Sequence, residues 1–325
     1  MMNHAIRIHE PGGPDVLRYE EIAIPTPGPG EVLIRQTAIG LNYIDVYFRT
    51  GLYPTDMPFI PGLEGAGVIE QIGSGVTSMQ PGDRIAYASR PLGAYAHYRT
   101  MPADRVVKIP PGITDDNAAA SMLKGMTAEY LLRRTYPVKK GDTILFHAAA
   151  GGVGLIACQW ANALGATVIG TVGSVEKAEL ARKNGCTHVI NYNTENFVAR
   201  VRDITHGKGV PVVYDSVGQS TFLQSLDCLS PRGVMVSFGN ASGPVQPFSP
   251  ALLSQKGSLY LTRPTMMDYT ATTEDYQQSA QALFDVINSG AVRISIGQTY
   301  ALKDAASAHR DLESRKTTGS SILIP

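Results

Sequence analysis

The run His147-Ala-Ala-Ala-Gly-Gly-Val-Gly154 constrains this chain more than any other stretch. The apolar segment Thr143–Phe146 leads into it, and an apolar segment at 155–164 leads out and stops at Gly165. A strand that turns sharply into a helix needs glycines, and the helix N-terminus offers N–H groups and partial positive charge to a pyrophosphate. The same turn could serve the backbone alone, but its place between an apolar strand and an apolar helix points to a dinucleotide. No GxxxxGK[ST] occurs, which excludes a nucleoside-triphosphate P-loop.

The pattern continues beyond the turn. Apolar runs at Thr143–Phe146, Thr167–Val172, 188–190, 211–214, 234–238 and 258–261 are separated by helix-like segments between at least the first five. Strands alternating with helices predict an α/β doubly wound parallel sheet, a Rossmann arrangement. The link at 241–250 is rich in Pro, Gly and Ser and reads as irregular.

The N-terminal part has another texture. Short strand-like runs at 32–38, 66–72, 84–88 and 94–99 are punctuated by Pro25-Thr-Pro-Gly-Pro-Gly30, Gly73-Ser-Gly75 and Pro81-Gly-Asp83. That spacing predicts a β-barrel or sandwich. From Asp115 and Asp116 an Ala/Leu-rich helix runs to Leu132, followed by Arg133-Arg134, a charge order that suits the helix dipole. The domain junction is placed in this helix. After Pro264 the tail reads as a helix (274–288), a strand (294–301), a helix (303–314) and a strand (321–324), with no core of its own, so it is expected to return to the first domain. The expected domains are therefore 1–126 with 268–325, and 127–267.

Composition removes several function classes. Lys+Arg and Asp+Glu are both 28, so net charge is zero and the basic excess needed to grip nucleic acid or anionic lipid is missing. Cys158, Cys186 and Cys228 are three scattered cysteines with no CxxC, which excludes a cysteine-rich zinc site and suits a reducing cytoplasm. Glu10 and Pro11 interrupt the start, so no signal peptide is expected, and the glycines and polar residues of 143–172 argue against a membrane span.

The second strand of the α/β part bears on the cofactor. NAD-binding folds place an acidic residue about 20 residues past the glycines to hold the ribose 2′-hydroxyl. Here the strand ends Val172-Gly-Ser174 without a carboxylate, and Lys177 follows one turn later. Ser and Lys suit a 2′-phosphate and hence NADPH. The plainer alternative is that Ser174 only caps the next helix and Lys177 is solvated, and Glu176 nearby weakens the positive field.

Five motifs in this order carry a family resemblance: Gly40-Leu-Asn-Tyr-Ile-Asp45, Pro61-Gly-Leu-Glu-Gly-Ala-Gly67, Gly82-Asp-Arg84, the Ala-Ala-Ala-Gly-Gly-Val-Gly turn and Asp215-Ser-Val-Gly218. The chain resembles the medium-chain dehydrogenase/reductase superfamily, and within it the zinc-free NADPH:quinone oxidoreductase branch related to ζ-crystallin. The resemblance implies a GroES-like barrel as catalytic domain, a Rossmann domain for NADPH, and a homodimer. Zinc enzymes of this fold keep a Cys and a His where this chain has Asn42 and Leu63, and neither an amide nor an alkyl group replaces those ligands. Glu64 survives, but a lone carboxylate is no zinc site, so no metal is expected.

The resemblance also implies site residues. Asn42 and Tyr47 would serve from the barrel side, and Lys124 and Thr127 would approach the reactive end of the cofactor. Gly152 and Val153 would meet the pyrophosphate, while Gly173, Ser174, Lys177 and Tyr192 would hold the 2′-phosphate. Ser216, Phe238, Gly239 and Asn240 would lie along the cofactor, Arg263 would reach the nicotinamide, and Arg315 would close from the tail. Ser216, Phe238 and Arg263 each follow an expected parallel strand, where open α/β sheets bind ligands. Tyr192 reads equally as an ordinary strand-end aromatic. His147 reads as structural, Asp45 and Asp215 as turn and cap residues, and Cys158 as core.

The activity expected is hydride transfer from NADPH to an electron-poor acceptor, a quinone. A quinone needs closeness and a donor for the developing oxyanion rather than a Lewis acid. Lys124, Asn42, Arg263 and, as a pocket wall, Tyr53 are the candidate catalytic residues. One alternative is a zinc-free reductase of α,β-unsaturated carbonyls. Another, of a different class, is a crystallin-like or RNA-binding role.

Overall fold

The strand Glu31–Leu41 organises the first of two units, because it is buried over most of its length and pairs on both sides. In a computed structural model that describes residues 2–325, one unit comprises Met1–Met126, Thr270–Asn288 and Ile294–Pro325, and the other Thr127–Tyr269 with Ser289–Arg293.

In the first unit the seven-stranded sheet runs Ile296–Ala301, Ser320–Ile324, Glu31–Leu41, Glu64–Ile72, Arg84–Ala88, Val107–Lys108, and Tyr98–Pro102 also pairs with Glu31–Leu41. Most pairs are antiparallel; the two tail strands are parallel to each other, and Ser320–Ile324 is antiparallel to Glu31–Leu41. Ile34, Ile39, Ile69, Ile85, Met101 and Leu323 fill the interior, so the tail completes a core begun by the N-terminal strands.

One expected strand moves. The run 94–99 is not a strand as a whole; the strand is Tyr98–Pro102. The Gln36 carboxamide donates to the carbonyls of both Ala94 and Ala96 at 2.6 Å, taking acceptors that a ladder partner would use. What remains is a single bridge from Ala96 to Ala5.

The helix Asp115–Tyr130 opens with two acids, and the unit boundary falls inside it, between Met126 and Thr127. A π-helical turn, Leu131–Thr135, follows it with Arg133 and Arg134.

The second unit holds six parallel strands in the order His188–Asn191, Thr167–Val172, Thr143–Phe146, Val210–Asp215, Leu229–Ser237, Tyr260–Thr262. In chain order this is 3-2-1-4-5-6, so the winding reverses between Thr143–Phe146 and Val210–Asp215. Ligands of such sheets bind at the carboxyl ends of those two strands. Helices Gly152–Ala163, Val175–Lys183, Phe197–Ile204 and Phe222–Asp227 form the crossovers, and 241–250 is irregular before the short helix Ala251–Gln255.

Candidate active site

At the switch point of the second unit, the helix Gly152–Ala163 starts with Gly151 as N-cap, no side chain caps it, and no acid lies in its first turn. An uncapped N-terminus at this place in the sheet leaves its N–H groups and positive end to an anion. Gly154 is required here: a Cβ on it would run into the carbonyl oxygen of Ala148 and lie 2.8 Å from the backbone of Ala149.

Beside this helix a buried polar network supports the strand ends. His147 bonds Thr171 Oγ1 at 2.8 Å and Ser225 Oγ at 2.9 Å. Burial holds its imidazole below the usual range, with the Asp215 charge offsetting only part of the effect. Asp215 accepts from Val217 N at 2.7 Å, Gly218 N at 3.0 Å and Thr221 Oγ1 at 2.7 Å. His147 and Asp215 are therefore structural groups that shape the Asp215-Ser-Val-Gly218 turn.

The carboxyl end of the fourth strand brings Ser216 against the fifth. Phe238 N donates to Asp215 O at 2.8 Å and Ala241 N to Ser216 O at 3.1 Å, so Ser216, Phe238, Gly239 and Asn240 form one cluster. At the second strand, the Tyr192 hydroxyl packs on Gly173, and Asn193 Nδ2 donates to Gly173 O at 2.7 Å. Ser174 is a genuine N-cap, with its Oγ accepting from Lys177 N at 3.2 Å. The exposed Glu176 carboxylate is held below its usual range, first by its own backbone N–H and then by the Ser174 hydroxyl. The capping reading of Ser174 is thus realised. Arg263 lies apart from Ser216, exposed and just beyond the edge strand, its Nη1 donating to Pro264 O at 3.3 Å.

Within the first unit, a cluster surrounds Glu64, which is fully buried. Its Oε1 accepts from Leu123 N at 2.7 Å; its Oε2 accepts from Asn42 Nδ2 at 2.7 Å and Lys124 Nζ at 3.0 Å. Gly40 makes the room, since any Cβ there would overlap the Glu64 carboxylate. Asn42 opens the helix Tyr43–Arg49, on which Tyr47 sits, and the Tyr53 ring meets Tyr47 edge-on at 5.2 Å. Thr127 lies one turn beyond Lys124 on the long helix but within the second unit. Arg315 follows the helix Ala305–Glu313 in a left-handed conformation, φ 60°, close enough to Tyr43 for its charge to oppose the upward push of burial on that phenol.

The expectation that Asn42 donates to an acceptor oxygen needs correction. Its amide N–H groups are directed at Glu64 and, at 3.4 Å, at Gly40 O. Its carbonyl oxygen faces the backbone N–H of Asp45 in the capping box.

A second buried network was not legible in the sequence. Arg49 pairs with Glu313 through both guanidinium nitrogens at 2.9 and 2.7 Å and donates to His309 Nδ1 at 3.0 Å. That leaves the proton of His309 on Nε2, which donates to Tyr95 Oη at 3.1 Å, and Tyr95 donates to Asp45 Oδ2 at 3.1 Å. Asp45 also accepts from Asn42 N at 2.9 Å, so it caps its helix as expected while being wholly buried. Burial pushes the Asp45 carboxyl from 3.8 up to about 7, against the pull of the Asn42 and Tyr95 bonds. Burial and the Arg49 charge push His309 from 6.5 down to about 3.

These shifts give a stability prediction with opposite signs. Asp45, raised on folding, stabilises fully below pH 3.8 and loses that contribution as pH rises to about 7. His309, depressed on folding, contributes fully above pH 6.5 and loses its contribution as pH falls towards about 3. In the shared window the folded chain carries on Asp45 the proton that the unfolded chain carries on His309, so the slopes oppose one another. Relative to wild type, Asp45→Asn should gain stability as pH rises through the window and His309→Gln as pH falls. The change is expected to be on the order of 3 kcal/mol for each. Calorimetric Tm from about pH 4 to about pH 8 checks this; parallel Tm curves for both variants and wild type would refute it.

Comparisons with known proteins agree with this architecture. Residues 28–111 match the alcohol dehydrogenase GroES-like domain family and residues 152–285 the zinc-binding dehydrogenase family. A quinone oxidoreductase of Pseudomonas aeruginosa is 55% identical over 315 residues, 97% of each chain. A 2-haloacrylate reductase of a Burkholderia species is 46% identical over 325 residues, 98% of each chain. The solved structure of Escherichia coli quinone oxidoreductase complexed with NADPH matches with a TM-score of 0.98 at 50% identity, covering 99% of this chain and 100% of that one. A glycine turn at the switch point, the two domain families and near-full-length identity of this order together place the chain in the medium-chain dehydrogenase/reductase family, in its quinone oxidoreductase branch.

Proposed function

We propose that the protein is an NADPH-dependent quinone oxidoreductase that works without a metal. The observation that carries this reading is the Glu64 cluster. It sets a buried ammonium, Lys124, beside a carboxamide, Asn42, and next to them the alkyl side chain of Leu63, 1% exposed, offers nothing to a zinc ion. The relatives named above support both the cofactor and the acceptor class.

When bound, NADPH supplies the hydride. Gly152 and Val153 hold the pyrophosphate at the uncapped helix N-terminus, and Gly173, Ser174, Lys177 and Tyr192 hold the 2′-phosphate. Ser216, Phe238, Gly239, Asn240, Thr127, Arg263 and Arg315 line the rest of the cofactor. Tyr47 meets the cofactor, and Tyr53 walls the acceptor. Asn42 contacts the cofactor. Lys124, with two N–H groups beyond the one given to Glu64, stabilises the negative charge that grows on the acceptor oxygen.

NADPH oxidation against a panel of quinones and enals tests the reading. Turnover is expected to be greater with quinones. A preference for enals would instead establish the second reading, a zinc-free reductase of α,β-unsaturated carbonyls, which the Burkholderia relative favours. Added zinc or a chelator should leave the rate unchanged.

The protein is further read as a cytoplasmic homodimer without affinity for nucleic acid. Three free cysteines, all buried, fit a reducing compartment. The edge strand Tyr260–Thr262 carries the exposed Tyr260 and Leu261, which suits self-association. No helix among the described residues is long and apolar enough to cross a membrane.

A further inference from the structure

We propose that Glu64 is the positioning residue of the acceptor end: it holds the Lys124 ammonium and the Asn42 carboxamide in one arrangement before an acceptor arrives. The proposal rests on the reading of Lys124 as the acceptor-side donor.

Lysine is a poor electrostatic catalyst unless it is held. Its charge sits at the end of four rotatable bonds, and a loose ammonium spreads over many rotamers and into water. One carboxylate binds the tip of Lys124 and the backbone of the residue before it. Glu64 Oε1 takes the N–H of Leu123, the residue before it on the helix, and Oε2 takes the Lys124 Nζ itself. The tip of the side chain and the helical turn from which it projects are thereby tied to the same group. With the lysine side chain 7% exposed and the glutamate 0%, water screens the pair little.

Asn42 is oriented by the same oxygen. An amide can present either its NH₂ or its oxygen, and the 2.7 Å bond from Nδ2 to Glu64 Oε2 directs the nitrogen inward. Its backbone N–H is fixed separately by Asp45 Oδ2 at 2.9 Å. Glu64 thus decides which face of Asn42 is on offer as well as where the Lys124 charge stands. Gly40 fits this role, because the space it vacates is filled by the carboxylate.

The test combines a rate with a readout of position. Glu64→Gln removes the charge and sets an amide N–H against a donor. In the NADPH-bound enzyme, acetylation of Lys124 followed by mass spectrometry should rise several-fold relative to the other lysines. Single-turnover reduction of a quinone should slow by about 10-fold or more, since a loosened donor gives up part of the roughly 100-fold that its complete removal would cost. Combined with Lys124→Met, it should slow the reaction by far less than the product of the two single effects, because most of its effect passes through Lys124 and only the part that passes through Asn42 remains. Glu64→Asp, which retains the charge on a shorter arm, should recover part of the rate, and it serves in the same assays if the glutamine variant does not fold. Unchanged labelling of Lys124, labelling that rises without a fall in rate, or slowing that multiplies with that of Lys124→Met would each overturn the proposal. A wild-type rate in Lys124→Met by itself would overturn the reading of Lys124. A slowed Lys124→Met beside an unslowed Glu64→Gln would overturn only the positioning role.

Discussion

Lys124→Met is expected to slow reduction of a bound quinone by about 100-fold, the loss seen when one donor to a developing oxyanion is removed. Methionine keeps much of the side-chain volume and removes the charge. If Lys124 acts where the acceptor oxygen gains charge, kcat and kcat/KM for quinone fall together while NADPH binding changes less. The structure adds a complication. Lys124 is the charged partner of the buried Glu64. Removing it leaves that carboxylate with Leu123 N and Asn42 Nδ2 alone, and an uncompensated buried charge costs about 3–5 kcal/mol of stability. Tm should therefore drop as well. Single-turnover oxidation of prebound NADPH by the folded enzyme separates the two effects. A wild-type rate there would assign Lys124 to the architecture of the helix or to the cofactor ribose.

The second large effect concerns the cofactor. Ser174→Ala with Lys177→Ala should weaken NADPH binding about 100-fold and leave NADH binding nearly unchanged, at roughly 1.5 kcal/mol for each contact made to the 2′-phosphate. The single variants differ in what else they disturb. The cap uses the backbone N–H of Lys177, so Lys177→Ala leaves it in place and should change NADPH affinity with little change in Tm. Ser174→Ala removes the cap too, at about 0.5–2 kcal/mol of helix stability. Calorimetric titration with both cofactors decides the matter. Equal losses for NADPH and NADH would show that the pair serves only the helix Val175–Lys183.

The elements that the sequence announced are those whose cause is local. An apolar strand, a glycine turn and an apolar helix are written in consecutive residues, so the switch-point motif and the six-strand alternation were legible before any coordinates. The missing acid after Val172 and the roles of His147 and Asp215 as supporting groups were equally readable. The misplaced strand at 94–99 shows where that reasoning stops. Its apolar pattern was sound, but the acceptors of Ala94 and Ala96 are claimed by a glutamine about 60 residues earlier in the chain.

The chemistry of the first unit belongs to the tertiary structure. Glu64 looked like a lone surviving carboxylate because its donors stand at positions 42, 123 and 124. Asp45 looked like an ordinary cap because Tyr95 and His309 lie 50 and 264 residues further along. Local sequence determines which backbone conformation is cheap, since propensity, periodicity and turn chemistry act over a few residues. Which way an amide points, where an ammonium is held and how far a carboxyl titrates from its usual range depend on desolvation and on partners that only the folded unit brings within hydrogen-bonding distance.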